Sequence, residues 1–294
     1  MSPIQKKATF FAFLAAVLYA VNSPFSKLLL SKIPETMMAA FLYLGAGSGL
    51  FLVGLINKIS GKKEKEKSLT KKELPYTIAM VVLDIAAPIF LMVGLNMTAA
   101  ENASLLNNFE IVATSLIALF VFKEAISKKL GLAIFLVTLS SIILSLEDLS
   151  SFTFSWGSIF VLLASVCWGF ENNCTRMLSS KDPLEIVVIK GFFSGLGSFI
   201  IALSIGEKVP EAIYVLFALV LGFVAYGLSI YFYIYAQRDL GAAKTSAYYA
   251  VAPFVGAGIS FIIFREMPSV SYITGLVVMI IGTYFCVADT KETS

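Results

Sequence analysis

Histidine is absent from the 294-residue chain, and this excludes a Ser-His-Asp or Cys-His triad, a histidine metal ligand and a histidine proton relay together. Cysteine is scarce. Cys167, Cys174 and Cys286 lie inside apolar stretches without a CxxC spacing, so inert thiols are expected, with no zinc site, no disulfide framework and no cofactor. Charged residues make up only 14% of the chain, against about 25% in an ordinary soluble domain, which excludes a soluble enzyme and a disordered chain alike. The net charge of +3 is too small to suggest a nucleic-acid partner. No GxxxxGK[ST] stretch is present, so hydrolysis of ATP by this chain is not expected.

What is abundant is apolar surface: 58% of residues are hydrophobic and the mean hydropathy is +0.87. A helix crossing a hydrocarbon core needs about 20 apolar residues. Apolar runs between Pro, Gly and charge punctuation predict spans at 8–30, 36–57, 76–95, 103–122 and 129–146, then at 155–177, 185–205, 211–235, 243–264 and 270–288. The first is too long and too lightly flanked for a cleaved signal peptide and is read as a mature helix. With both termini on the cytoplasmic side, 17 of the 22 basic residues fall in inner segments and only Lys32, Lys208 and Arg265 in outer ones. That bias sets the orientation. The lysine-rich stretch 58–73 reads as a solvated positive-inside anchor, with an anionic-lipid patch as its alternative.

The chain also repeats itself. At an offset of 149, residues 16–34 align with 165–183, matching Tyr19 with Trp168, Lys27 with Arg176, Ser31 with Ser180 and Pro34 with Pro183. At an offset of 142, residues 82–100 lie over 224–242, and FKE at 122–124 meets FRE at 264–266. Five spans per copy is an odd number, so the second copy enters the membrane from the opposite side. The expected fold is therefore an all-α membrane protein of ten transmembrane helices in two inverted five-helix repeats, 1–147 and 148–294. Such repeats mark secondary carriers.

The FKE and FRE ends of the fourth and ninth spans, with WGFENN at 168–173 and LNMTAAENASLLNNFE at 95–110, resemble the drug/metabolite transporter superfamily in its EamA-like branch. The resemblance covers essentially the whole chain. It implies a transporter with a central cavity, in a branch that exports amino acids, other metabolites and drugs. It also implies peripheral fifth and tenth spans that mediate homodimer contacts, and a bacterial plasma membrane as location.

An ionisable side chain at bilayer depth is costly and so is a functional candidate. Ala103, Asn107, Glu110 and Thr114 follow one helix face, and the offset of 142 sets Thr245, Tyr249, Ala252 and Gly256 opposite. A carboxylate and amides on one side and aromatic and small residues on the other suit a ligand with an amino end and an apolar body. Trp168, Glu171, Asn172 and Thr175 make a second polar face. The candidate substrate residues are Glu110, Asn107, Asn108, Trp168, Glu171, Asn172, Tyr248 and Tyr249. Most of the other tyrosines and of the phenylalanines are read as facing lipid or the interface. Asp84, Glu171 and Lys190 are candidates for coupling or for a structural ion pair. A structural acid is the alternative reading of Glu110.

Lys27 and Arg176 are expected to extend to the headgroups. Pro24, Pro88 and Pro253 interrupt their spans, and Gly45, Gly49, Gly191 and Gly195 permit close packing. The function expected is secondary transport of a small metabolite, an amino acid or an amine, by alternating access with proton coupling. The alternatives are a membrane-embedded enzyme using buried carboxylates and a passive channel or facilitator.

Overall fold

The computed structural model describes residues 3–60, 66–122, 127–148, 153–240, 245, 248–265 and 268–292. Nearly all of this is helix. The one extended pairing, Leu146–Asp148 against Thr153–Phe154, is a short antiparallel hairpin between helices and leaves the fold all-α.

Among the described residues, seven helical stretches are long and apolar enough to cross a bilayer, and Ala252–Phe264 and Val270–Phe285 are shorter apolar helices. Trp156–Leu178 has the length but carries Glu171, Asn172, Asn173 and, beyond Cys174, Thr175. Together these describe a multi-pass helical membrane protein.

The first span is two helices, α1 (Pro3–Ala20) and α2 (Asn22–Leu29). Pro24 has no N–H to return to the carbonyl of Ala20, so the chain turns at Val21. Next come α3 (Glu35–Ile59) and α4 (Leu74–Met97). The fourth span is also broken, into α5 (Ala100–Leu106) and α6 (Phe109–Phe122). The hydrogen bonds Asn108 N to Leu105 O and Glu110 N to Asn107 O, at 3.0 and 3.1 Å, tighten the chain there from a four-residue to a three-residue repeat. One continuous face through Ala103, Asn107, Glu110 and Thr114 was expected; the turn at Asn107 and Asn108 swings Asn107 off it.

The remaining helices are α7 (Lys128–Ser145), α8 (Trp156–Leu178), α9 (Pro183–Ser204), α10 (Ala212–Gly222), α11 (Ser229–Leu240), α12 (Ala252–Phe264) and α13 (Val270–Glu292). A π-helical stretch, Phe223–Leu228, joins α10 to α11 into one rod. Thus the eighth span runs to Leu240, five residues beyond its expected end. In the ninth span residues 248–249 are helical, a turn follows at Ala250 and Val251, and α12 begins, so this break falls within one residue of the place that the 142-residue offset gives for the turn at Asn107 and Asn108. Lys123, Glu124 and Glu266 of the FKE and FRE ends lie outside the described residues.

Close packing sets the centre. A Cβ on Gly47 would lie 2.7 Å from the Phe192 nitrogen and 2.9 Å from the Gly191 carbonyl carbon, so α3 and α9 touch backbone to backbone. Helix α4 packs along α8 and α1 along α11, while α7 and α13 pair at the periphery. The interior between them holds Met37, Leu42, Tyr43, Leu91, Leu95 and Tyr226, all buried. Burying such side chains gives about 1.5–3 kcal/mol each when the alternative is water, whereas in lipid it is shape fit that holds helices together.

Lys27 does not extend to the headgroups. Its ammonium donates to the carbonyls of Leu95, Asn96 and Thr98 at 2.6, 3.1 and 2.9 Å, closing the C-terminal end of α4. The unpaired carbonyls and the negative end of the helix dipole draw the cation there. Cys167 and Cys174 are free thiols, each half-buried and packed against the core from α8.

Candidate functional site

A cavity of about 530 Å³, counted out to its mouth, lies between α1, α3, α6, α8, α9 and α11. Its lining falls near the middle of the spans: Glu110 is about halfway along the fourth span, and Tyr226 about halfway along the eighth.

Two pairs of helices bring the polar side chains inward. Gly169 has no side chain where α6 passes α8, and a Cβ there would lie 2.6 Å from the Ala113 Cβ. This close approach lets Asn172 donate both to Glu110 Oε1 and, at 3.4 Å, to the Thr114 hydroxyl. Asn173 fixes the same contact from behind, donating to the carbonyls of Thr114 and Gly169 at 3.3 and 2.9 Å. Glu110 thus occupies the first turn of α6, where the helix dipole favours a carboxylate.

On the other side stands a buried ion cluster. Lys190 donates to Glu171 Oε1 at 2.9 Å and lies 3.1 Å from Asp84 Oδ2, all three side chains being at most 4% exposed. The Glu171 contact is a directed hydrogen bond; the Asp84 contact is close but lacks that alignment and acts as charge attraction. The Tyr43 hydroxyl donates to Asp84 Oδ1 at 2.7 Å, and Thr175 donates to Glu171. A buried charge of this kind persists only where its partners and hydrogen bonds are in place.

The rest of the wall is aromatic. Tyr19 is its hub, with ring centroids 6.4 Å from Trp168, 5.9 Å from Tyr226 and 5.7 Å from Tyr249. Tyr43 lies 5.1 Å from Tyr226, and Tyr233 stands edge-on to Tyr249 at 5.0 Å. Asn22 holds Tyr226 in place by donating to its hydroxyl at 3.1 Å, and Ser26 in turn donates to Asn22 Oδ1. Rings in this arrangement present π faces and hydroxyl oxygens to the space between them.

Of the residues expected to hold substrate, Glu110, Trp168, Glu171, Asn172 and Tyr249 line the cavity. Asn107 and Asn108 are buried in the break between α5 and α6 outside that lining, and among the described residues Asn107 Oδ1 and Asn108 Nδ2 have no hydrogen-bond partner. Tyr248 is also outside it and packs on Phe13 at 5.2 Å, because one residue along a helix turns the side chain by about 100°. Asp84, Glu171 and Lys190 come together. The sequence reading missed Tyr19, Tyr43, Tyr226 and Tyr233, which line the cavity instead of facing lipid or the interface. One signal was available: the 142-residue offset pairs Asp84 with Tyr226, so a tyrosine stands where the first copy has a buried acid. Among the described residues no group of three or more Cys, Asp or Glu side chains converges as a metal-ligand set.

At the loop end near residue 66 the helices are tied across the bundle. Arg238 forms a two-pronged pair with Glu66 at 2.7 and 2.9 Å and donates to the Lys181 carbonyl at 2.7 Å. Glu185 accepts from the Leu69 nitrogen at 2.9 Å, and Lys181 lies 3.3 Å from Glu73. The Thr70 hydroxyl and N–H, and then Lys181, hold the Glu73 carboxyl down to about 2.

Comparison with known proteins agrees with this architecture. An uncharacterized transporter of Methanothermobacter thermautotrophicus is 27% identical over 286 residues, covering 92% of this chain and 83% of the relative. The Bacillus subtilis uncharacterized transporter YyaM is 22% identical over 231 residues, 74% of each. A crystallographic structure superposes with a TM-score of 0.71 at 14% identity, covering 97% of both chains, and so shares the fold. The sequence profile of the EamA-like transporter family matches residues 6–146 and again 155–288, and the chain belongs to that family.

Proposed function

We propose that this membrane transporter is a secondary carrier of a small metabolite with an amino end and an apolar body, an amino acid or an amine. The observation that carries this reading is Glu110, a carboxylate at mid-span facing an aromatic wall of Tyr19, Trp168, Tyr226 and Tyr249. A carboxylate supplies charge and hydrogen-bond acceptance, and the rings add cation–π attraction of about 0.5–2 kcal/mol each when water is excluded.

The carrier works by alternating access between the inverted halves 1–147 and 148–294. In support, α1 packs on α11 as α8 packs on α4, the pairing that results when first and sixth, and third and eighth spans exchange roles. A proton taken up at a cavity carboxylate drives the cycle, since burial of three acids against one lysine leaves negative charge to be neutralised whenever substrate is absent. The protein resides in the plasma membrane with both termini cytoplasmic. The paired α7 and α13, whose outer faces expose Phe135, Ile142, Ile273 and Tyr284, supply a homodimer contact.

Proteoliposomes preloaded with unlabelled amines and amino acids test the reading. Saturable counterflow of labelled ligand, lost in Glu110→Gln, is the expected result. Flux that rises without saturation shows a pore, and equal counterflow in the variant moves the binding site elsewhere.

A further inference from the structure

The charge arrangement around Lys190 decides between the two ligand classes. We infer that the cavity takes an amine without a carboxylate and excludes the corresponding amino acid, an inference that rests on reading this cavity as the binding site for an amino group.

An amino acid carries an anion beside its ammonium, and that anion needs a cation or a cluster of free N–H donors when it leaves water. Among the described residues lining the cavity, Lys190 is the only basic one. It is already shared by two carboxylates, with Glu171 at 2.9 Å and Asp84 at 3.1 Å. A third carboxylate at that ammonium meets two fixed negative charges within a few ångströms, in a region that water does not screen.

A helix N-terminus is the other common anchor for an anion. The helix N-terminus whose own first turn contributes to the lining is that of α6, and the residue it contributes is Glu110, already an anion. The Asn172 amide, the remaining strong donor in the wall, is turned toward Glu110 and Thr114. Among the described residues of the lining, the one ammonium and the one amide are therefore directed at acids or a hydroxyl of the protein itself, and the donors that remain, the tyrosine hydroxyls and the Trp168 indole N–H, carry no positive charge to offset an α-carboxylate.

The requirements of a cation are met instead. Glu110, Glu171 and Asp84 outnumber Lys190 three to one, so an incoming ammonium lowers the charge imbalance. The aromatic rings accept both its charge and an alkyl or aromatic body. Ile230 and Trp168 give that body an apolar surface.

The experiment compares three probes that share one body: phenethylamine, phenylalanine and phenylalanine methyl ester, in which the anion is masked. Thermal shift of the detergent-purified protein and counterflow in proteoliposomes serve as readouts. Phenethylamine and the ester are expected to stabilise the protein and to exchange, with phenylalanine weaker by more than about tenfold. In Asp84→Asn, which releases part of Lys190, the gap between ester and free acid is expected to narrow. Should that variant fail to fold, the ester against the free acid on the unaltered protein still decides the question. Phenylalanine binding as tightly as its ester overturns the inference and leaves the binding-site reading standing. If this series and a matching set of alkyl amines and their amino acids all leave the protein unshifted, the reading of the cavity itself fails.

Discussion

Lys190 lies 2.9 Å from Glu171 and 3.1 Å from Asp84, so a single ammonium on α9 ties α8 to α4 at bilayer depth. Removing that ammonium leaves two buried acids without compensation. Lys190→Met is expected to destabilise the protein by about 3–5 kcal/mol, measured by thermal unfolding in detergent. The triple change Asp84→Asn, Glu171→Gln, Lys190→Met removes all three charges and is expected to recover most of that loss. A triple variant no more stable than the single one shows that the site needs the charges for its fold.

Lys27 provides a second test, at the end of α4. Of its three carbonyl partners, those of Leu95 and Thr98 are partly buried and would lose this donor, while that of Asn96 is exposed to solvent or headgroups. Lys27→Ala is expected to cost about 2 kcal/mol, and Lys27→Arg, which keeps donors and charge, less. If Lys27→Ala melts with the parent, the side chain is only resting at that position.

How far the residues themselves disclose this arrangement depends on what each signal measures. Hydropathy located the spans to within a few residues, since the requirement for apolar length leaves few options. Pro24 marked the break in the first span, but nothing in the hydropathy showed that the fourth span breaks, because the turn at Asn107 depends on how asparagine competes for backbone groups. Polar residues at helical spacing placed Glu110, Glu171 and Asn172 on the cavity. Tyr19, Tyr43 and Tyr226 were lost among residues suited to lipid, because a tyrosine in an apolar run has the same local pattern whether its hydroxyl meets Asp84 or a headgroup. Asn107 erred in the opposite direction: its polarity marked it correctly as buried in protein, and the helix break then turned it away.

Glycine positions give a paired prediction about packing. A side chain on Gly47 has nowhere to go, as its Cβ would fall 2.7 Å from the Phe192 nitrogen, which is backbone of a packed helix. Gly258 on α12 is exposed and has nothing within 4 Å of the same position. Gly47→Val is therefore expected to abolish the monodisperse elution peak, by overpacking worth at least about 1–3 kcal/mol. Gly258→Ala is expected to leave the peak intact and to raise thermal stability by up to about 1 kcal/mol through helix propensity. Equal behaviour of the two variants contradicts the α3 to α9 contact.

The Arg238 ties make the last prediction. Arg238 joins α11 to the segment before α4 through Glu66 and to the loop between α8 and α9 through the Lys181 carbonyl, so this end of the bundle opens only if those bonds break. Both side chains are about a quarter exposed, at 26% for Arg238 and 27% for Glu66, which limits the pair to about 1 kcal/mol after screening. Arg238→Ala is expected to raise labelling of a cysteine placed at Ser179 by a membrane-impermeant maleimide about fivefold, which is the population shift that 1 kcal/mol gives. High salt is expected to raise labelling of the parent in the same direction. Acid acts later: the Glu73 carboxyl titrates at about 2 in the fold, below its ordinary value near 4.5, so its contribution is complete above the ordinary value and is lost only as pH falls through about 2. Labelling that stays level in Arg238→Ala means that packing at Leu50, Met80 and Leu178, and not the ion pair, holds this end closed.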